Sequence, residues 1–579
     1  MLIKIGQLLI NKNLITPEQL EMGLQEQSKS GGLLGVILIK KGFLKEDDFL
    51  KTLSEQLSLP FVKFKELAID PLAVKKVPAK FAWHYKVMPI KFENDKLIIA
   101  SFDPLRSLDD LRLFLGYELK PVVASESEIM EAIKENYGVG AETVEGIMAK
   151  TPKEVKSHDG AKEAGRIEDI EKLAEDASVV KLVNQIILEA YQKRATDIHI
   201  EPFRGKMNIR YRIDGILYNA NVPDDIERFF LAIISRIKIM SRLNIVERRL
   251  PQDGRCVIKV GQEELDLRIS IIPTRYGEGM VIRILPMNML FSLEKLGLVP
   301  EDLELLEGLI KKPHGIILVT GPTGSGKSTT LYGCLNEIKS SKNKIITIED
   351  PIEYELEGII QIQVLPEIGF SFAQGLRSML RHDPDIMMVG EIRDFETAEL
   401  AIRSALTGHL VFSTLHTNDA AGAVARLLNI GIEPYLVASS VEAFIAQRLV
   451  RLICPECKKI DTTVPEKIRS IITQDMSKSK AGLFHSKTEA IKFYRGQGCK
   501  ECNFTGFKGR TAIHEILVVD KSIRELMLKK ASTDEIRDKV VSQGMKTLRL
   551  CGWRKVIEGL TTPDEILRVT QATESQENV

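Results

Sequence analysis

Eight consecutive residues, Gly321, Pro322, Thr323, Gly324, Ser325, Gly326, Lys327 and Ser328, fit the spacing GxxxxGK[ST], and Thr329 follows them. Glycines in such a loop let backbone N–H groups close around phosphate oxygens, and the helix N-terminus adds a favourable dipole. Lys327 then reaches the β- and γ-phosphates, and the Ser328 hydroxyl ligates Mg²⁺. The apolar run GIILVT precedes the loop and the helix-compatible TTLYGCLNEI follows it, which is the strand, loop and helix context this chemistry needs. That context speaks against a glycine-rich turn without ligand. The chain is expected to bind ATP or GTP.

Acids come next. Asp385 to Glu391 (DIMMVGE) reads as a buried strand ending in a carboxylate, where nucleotide hydrolases place a metal-side or water-positioning acid. Ile345 to Pro351 (IITIEDP) is another apolar strand, delivering Glu349 and Asp350 to a loop held by Pro351. Two strand-end acids near one Mg²⁺ suit a polarised attacking water, with a helix cap or a surface charge as the alternative for either alone. Gly408 to His416 (GHLVFSTLH) puts His409 and His416 at the flanks of one more buried strand. A lone histidine is more often a satisfied core residue, but one at the C-terminal end of a strand in a doubly wound sheet points at the ligand crevice.

A second chemistry is carried by Cys454-x2-Cys457 and Cys499-x2-Cys502. Four thiolates in two such knuckles make a closed tetrahedral Zn²⁺ site with no open position, hence a structural one. The 41 residues between Cys457 and Cys499 exceed a compact zinc ribbon, so the insertion, with its Ser/Lys-rich stretch near 476 to 487, is expected to loop out. A redox role is the alternative, and no thioredoxin-like βαβ context is visible. Cys256, Cys334 and Cys551 are isolated and read as small apolar residues.

These groups sit in a chain of 579 residues with 80 Lys+Arg against 80 Asp+Glu, a length that accommodates three to five domains. A net charge near zero offers no global field for nucleic acid or an anionic membrane. No apolar run approaches the roughly 18 to 20 residues of a membrane span, and the N-terminus, MLIKIGQLLINKNLI, lacks a signal-peptide pattern. A cytoplasmic protein is expected.

The first sixty residues repeat with a shift of 29: Gly6 matches Gly35, Leu9 Leu38, Leu20 Phe49, Leu24 Leu53 and Gln27 Gln56. Each copy reads as a short helix, a turn and a second helix, with Thr16 and Pro17 opening the latter. A duplicated packing module without ligand is one reading. Residues 59–137 suggest a small α+β part, completing an N-terminal module over 1–137, and 138–168 are Lys-, Glu- and Gly-rich like a linker. A further α+β domain is expected over 169–290, where MNIRYRIDGIL alternates Ile209, Tyr211 and Ile213 against Arg210 and Arg212. The nucleotide-binding α/β domain then covers 300–579, with the cysteine insertion at 454–502.

The loop, ITIEDPIEYELEG, RHDPDIMMVGEIRD and TGHLVFSTLHTNDA, in that order, resemble the ATPases of the type II secretion and type IV pilus family over at least residues 175 to 570. The resemblance implies a RecA-like ATPase domain behind a PAS-like domain, assembled as a homohexamer at the inner membrane through platform and adaptor proteins. It makes Glu391 the Walker B acid, Glu349 the general base and His416 a γ-phosphate sensor. Arginines of the smaller domain would reach the nucleotide, Arg210 and Arg212 first, then Arg268 and Arg283, to stabilise the transferred phosphoryl group. The alternative is a solvated strand face.

The cysteine insertion is similar to that of assembly and secretion motors rather than retraction motors. SRIKIMSRLNIVERRLPQDGR and GIEPYLVASS look closer to the secretion branch than to the pilus assembly branch, so type II secretion is expected, with pilus assembly as the alternative. The N-terminal repeat resembles a cyclic-di-GMP-binding module whose motif begins Arg-Leu-Gly. Here Lys4 and Leu33 stand at the Arg positions and Asn13 replaces a Gly. Leu33 can neither stack on a guanine nor make a forked contact, which weighs against dinucleotide binding and leaves docking to a membrane partner. A nucleic-acid translocase would need a basic, aromatic-interleaved channel, and 6% aromatic residues speak against it. A nucleotide-sensing scaffold is a third reading, disfavoured by the intact Lys327, Glu349 and Glu391.

Overall fold

The computed structural model describes residues 5–30, 33–64, 67–104, 108–144, 174–204, 206–286, 291–478 and 491–570. The chain parts into two compact units, Met1–Pro286 and Met287–Val579.

The first unit opens with helices Ile5–Asn11, Pro17–Ser30, Leu34–Lys40 and Glu46–Leu57. Thr16 starts the second of them as its sequence suggests, its hydroxyl accepting from Gln19 N at 3.3 Å while the Gln19 side chain accepts from Thr16 N. The repeat has a packing reason. A Cβ on Gly6 would lie 2.6 Å from Leu20 Cδ1, and one on Gly35 would lie 2.1 Å from Phe49 Cζ. Gly6 and Gly35, like Leu20 and Phe49, are partners in the repeat, so each copy seats a large side chain against the bare backbone of its own first helix.

Strands β1 (Val87–Glu93), β2 (Lys96–Ser101) and β3 (Glu118–Val123) form a sheet, antiparallel then parallel. Leu97, Ile99 and Val123 of these strands share one core with Leu9, Leu38 and Phe49 of the repeat. The small α+β part is therefore present and fused to the helical one. Of the expected linker, residues 145–168 lie outside the described residues, whereas residues 138–144 are packed: Val139 N donates to Asn221 O at 2.7 Å, and Val144 is buried in the next core.

That core lies between helices Ala177–Gln192 and Phe230–Met240 and a six-stranded antiparallel sheet. The strands are β4 (Ala195–Phe203), β5 (Lys206–Ile213), β6 (Ile216–Asn219), β7 (Gln252–Val260), β8 (Glu263–Thr274) and β9 (Gly277–Pro286), ordered β6-β5-β4-β9-β8-β7. Ile209, Tyr211 and Ile213 are buried as their alternation requires, which turns Arg210 and Arg212 to the other face.

The second unit is built on β10 (Gly315–Thr320), β11 (Ile345–Glu349), β12 (Ile360–Gln363), β13 (Ile386–Val389), β14 (Leu410–Leu415) and β15 (Val441–Ile453). Two short strands, β16 (Lys458–Ile460) and β17 (Tyr494–Gly496), pair in the cysteine insertion, and β18 (Phe507–Val518) closes the large sheet. The order is β12-β11-β13-β14-β10-β15-β18, parallel except for β18. β10, β11, β13 and β14 are buried throughout, with helices on both faces, and a strand buried on both faces reads as a continuous apolar run. Their C-terminal ends all open on one edge.

The insertion departs from the expected loop. Glu466–Lys478 is a helix, Ile472 on it is fully buried in the main core, and Asp475 accepts from Trp553 Nε1 at 2.9 Å. Ile468 and Ile471, upstream of the Ser/Lys-rich stretch, pack with Ile472 against that core and dock the helix. Residues 479–490 lie outside the described residues.

Candidate active site

Gly321 to Gly326 lead from β10 into the helix Lys327–Ile338. Gly321, Gly324 and Gly326 have φ of 152°, 78° and 89°, conformations that side chains resist. A Cβ on Gly321 would meet Gln447 O at 2.6 Å, so the backbones of loop and β15 touch there. Gln447 is buried and braces the loop, donating to Ser325 O at 2.9 Å and accepting from Thr330 Oγ1 at 2.6 Å. No spacing in the sequence marks Gln447, whose signal is an amide directly after the apolar run Ala443–Ala446 of β15.

Lys327 Nζ donates to Gly321 O at 2.9 Å and Pro322 O at 3.1 Å. Burial holds its ammonium below the ordinary lysine range, Glu391 opposing and Arg448 reinforcing the shift. Ser328, one residue on, is exposed at the start of the helix, so its hydroxyl can meet a cation beside a nucleotide.

The two acids end differently. Glu391, past the end of β13, pairs with His416 Nε2 at 3.1 Å and with Arg393. His416 follows β14 directly and is exposed, so strand register alone brings the predicted acid and the predicted sensor together. Glu349 is 4% exposed and accepts from Tyr332 Oη, from Thr347 Oγ1 at 2.6 Å and from Gln361 Nε2 at 3.1 Å. No hydrogen bond among the described residues joins it to Glu391 or His416. His409 sits at the opposite end of β14, its Nδ1 2.8 Å from Ser404 O, and is a structural group.

The arginines expected from the smaller domain lie on the polar face of its sheet. Register places Arg212, Asp197, Arg283, Arg268 and Arg255 in one cross-strand row. Asp197 is 3.0 Å from Arg283 and 3.6 Å from Arg212, while Asp266 is 2.6 Å from Arg255 and 3.6 Å from Arg268. Arg210 stands beside the row, forked onto Glu201 at 2.9 and 2.7 Å. Buried aspartates between neighbours keep four like charges on one face. Arg255 joins them only through its pairing across the sheet, which no spacing in the sequence reveals.

Cys454, Cys457, Cys499 and Cys502 converge, with Sγ separations of 3.8 Å (454–499), 3.9 Å (457–502) and 3.7 Å (499–502). A tetrahedron with Zn–S bonds of about 2.3 Å has S···S edges of about 3.8 Å, so the thiols fit zinc. In the first unit, Leu33, Lys40, His84, Tyr85, Lys86, Phe102, Asp103 and Glu126 line a cavity of about 570 Å³. Leu33, standing where the dinucleotide motif has Arg, forms part of its wall.

A glycine-rich phosphate loop at the C-terminal edge of a parallel sheet, faced by a glutamate and histidine from neighbouring strands, sets the class: the molecule is a P-loop ATPase. Comparison with known proteins narrows this. The family described as Type II/IV secretion system protein matches residues 172–568, and the chain belongs to that family. The family described as MshEN domain matches residues 57–143. Among relatives, a type IV pilus assembly ATPase, PilB, of Myxococcus xanthus is 42% identical over 97% of this chain and 98% of its own. A type II secretion system protein E of Xanthomonas campestris is 40% identical over 98% of each. Among the described residues no helix is long and apolar enough to cross a membrane.

Proposed function

We propose that the chain hydrolyses ATP to drive assembly of a pseudopilus or pilus, with type II protein secretion as the first reading. The observation that carries it is the intact phosphate loop joined on one sheet edge to the Glu391–His416 pair. The similarity of the two relatives keeps type IV pilus assembly beside it as the second reading.

In this reading Gly321 to Gly326 and Thr329 surround the phosphates, Lys327 neutralises their β and γ oxygens, and Ser328 would hold Mg²⁺. The cation supplies charge neutralisation on the transferred group. His416 senses the γ-phosphate and stands in contact with Glu391, so loss of that phosphate is felt where the attacking water is held. The three donors around Glu349 support a positioning role for it, fixing the end of β11 against the phosphate-loop helix through Tyr332, with Glu391 nearer the reacting end. Arg210, Arg212 and the row of Arg255, Arg268 and Arg283 would serve a nucleotide in trans, which a homohexamer provides. Cys454, Cys457, Cys499 and Cys502 would hold a structural Zn²⁺. The protein would act in the cytoplasm, peripheral to the inner membrane through platform and adaptor proteins, without nucleic acid. Cyclic-di-GMP at the N-terminal module would have to use Lys40, Lys86 and His84 of the cavity in place of the motif arginines.

The test is ATP turnover, with oligomeric state followed alongside, for the wild type, Lys327→Ala and Glu391→Gln, with and without a platform protein and single-stranded DNA. Stimulation by the platform and none by DNA is expected. Stimulation by DNA alone would replace the secretion motor by a translocase, and a wild type no faster than Glu391→Gln in every condition would leave a nucleotide-sensing scaffold.

A further inference from the structure

β15 pairs Thr320 of β10 with Ala446, so the next two residues, Gln447 and Arg448, run past the end of β10 beside the start of the phosphate loop. They divide the work of that strand end. Gln447 points into the loop and braces it. Arg448, the following residue, leaves from the opposite face of the strand. There its Nη2 donates to Asn418 Oδ1 at 3.0 Å and to Asn418 O at 3.3 Å. Asn418 belongs to the short loop that also carries His416.

We propose that Arg448 is a nucleotide-phosphate ligand supplied in cis, which reads the γ-phosphate end of the site and carries its presence through Asn418 into the His416–Asp419 loop. Three observations point there, and the proposal rests on the ATPase reading above.

The Arg448 Nε is buried and has no hydrogen-bond partner among the described residues. A guanidinium offers five donors in a fixed fork, and leaving one of them dry costs free energy unless something accepts from it. Second, Arg448 and Lys327 are close enough for the arginine charge to bear on the lysine, and burial depresses both. Two partly desolvated cations, one within electrostatic reach of the other and opposed by Glu391 and Asp419, are the complement of a polyphosphate. Third, the contact leads somewhere. Asp419 accepts from Gly422 N at 2.6 Å, capping the helix Ala420–Ile430, and pairs with Arg537 at 2.9 Å on the helix Thr533–Ser542. A shift of Arg448 toward a phosphate would draw on Asn418, and the next residue, Asp419, anchors two helices outside the nucleotide edge.

Arg448→Gln, Arg448→Lys and Asn418→Ala in the full chain separate this from a packing role. The readouts are kcat and KM for ATP, the affinity of a non-hydrolysable ATP analogue relative to ADP, and the melting temperature. Arg448→Gln is expected to lower the analogue-over-ADP affinity ratio about tenfold, the size of one lost charge-assisted contact. Arg448→Lys should recover part of it, since charge returns without the fork. Asn418, exposed and outside the phosphate loop, can be truncated without opening the core, and Asn418→Ala is expected to lower kcat while leaving KM within about twofold. An unchanged affinity ratio in Arg448→Gln, with or without a fall in melting temperature, makes Arg448 a strand tie only and overturns the proposal. Failure of the underlying reading looks different: wild-type turnover would then be indistinguishable from Lys327→Ala.

Discussion

β13 and β11 are neighbours in one parallel sheet, and each delivers a glutamate at the same edge, yet the two ends are serviced in opposite ways. Glu391 meets groups that can move or exchange, the exposed His416 and the exposed Arg393. Glu349 meets Tyr332, Thr347 and Gln361, and is buried. A carboxylate that takes a proton from water needs an open lone pair, and three donors leave Glu349 about one of its four acceptor sites, on the oxygen that faces Tyr332. The same residue type at the same edge is thus left open or covered according to what packs over it.

The largest effects of substitution are expected at the open end. Lys327→Ala and Glu391→Gln are expected to lower ATP turnover by about 100-fold or more, the scale of losing a main charge or proton-handling group. Nucleotide binding should survive in Glu391→Gln and weaken in Lys327→Ala, as equilibrium titration with a fluorescent nucleotide would report. His416→Ala should cost about tenfold in kcat, because its partner Glu391 stays in place.

At the closed end, Glu349→Gln is expected to keep turnover within about tenfold of wild type. The amide keeps its oxygen for Thr347 and Gln361 and turns its NH2 toward the Tyr332 hydroxyl, trading a charge-assisted contact for a neutral one at about 1 kcal/mol, which lowers the melting temperature by a few degrees. Turnover as low as in Glu391→Gln would return the base role to Glu349. The smallest effect concerns a third glutamate. Glu515 on β18 is buried, with Ala420 N at 2.9 Å and Leu548 N at 3.3 Å donating to it, and burial pushes its carboxyl up to about 7. The folded chain then holds a proton that the unfolded chain releases near the ordinary value of about 4.5, so stability declines as pH rises from about 4.5 to about 7 and is level above. Glu515→Gln should remove that decline, gaining about 1–3 kcal/mol over wild type at pH 8 in denaturant titrations, with turnover unchanged.

Much of this edge is legible without coordinates, because a phosphate loop is local: eight adjacent residues carry its glycines, lysine and hydroxyl, and the apolar runs on either side declare strand and helix. The cysteine knuckles are local in the same sense, each pair separated by two residues. The alternation of Ile209, Tyr211 and Ile213 likewise sets Arg210 and Arg212 on the polar face from residue order alone.

What tertiary structure alone decided is whatever depends on neighbours distant in sequence. Arg255 enters the arginine row through register across β7, β8 and β9. Gln447 braces a loop more than a hundred residues upstream because β15 lies beside β10. Glu349 is closed by Tyr332 and Gln361, residues of a helix and of an edge strand that no spacing links to it. The repeat's Gly6 and Gly35 each receive a large side chain of the following helix, Leu20 and Phe49, a contact that only the packing reveals. Residue type and period determine which groups face a common edge. Burial and hydrogen-bond supply, set by long-range packing, determine which of them remain free to react.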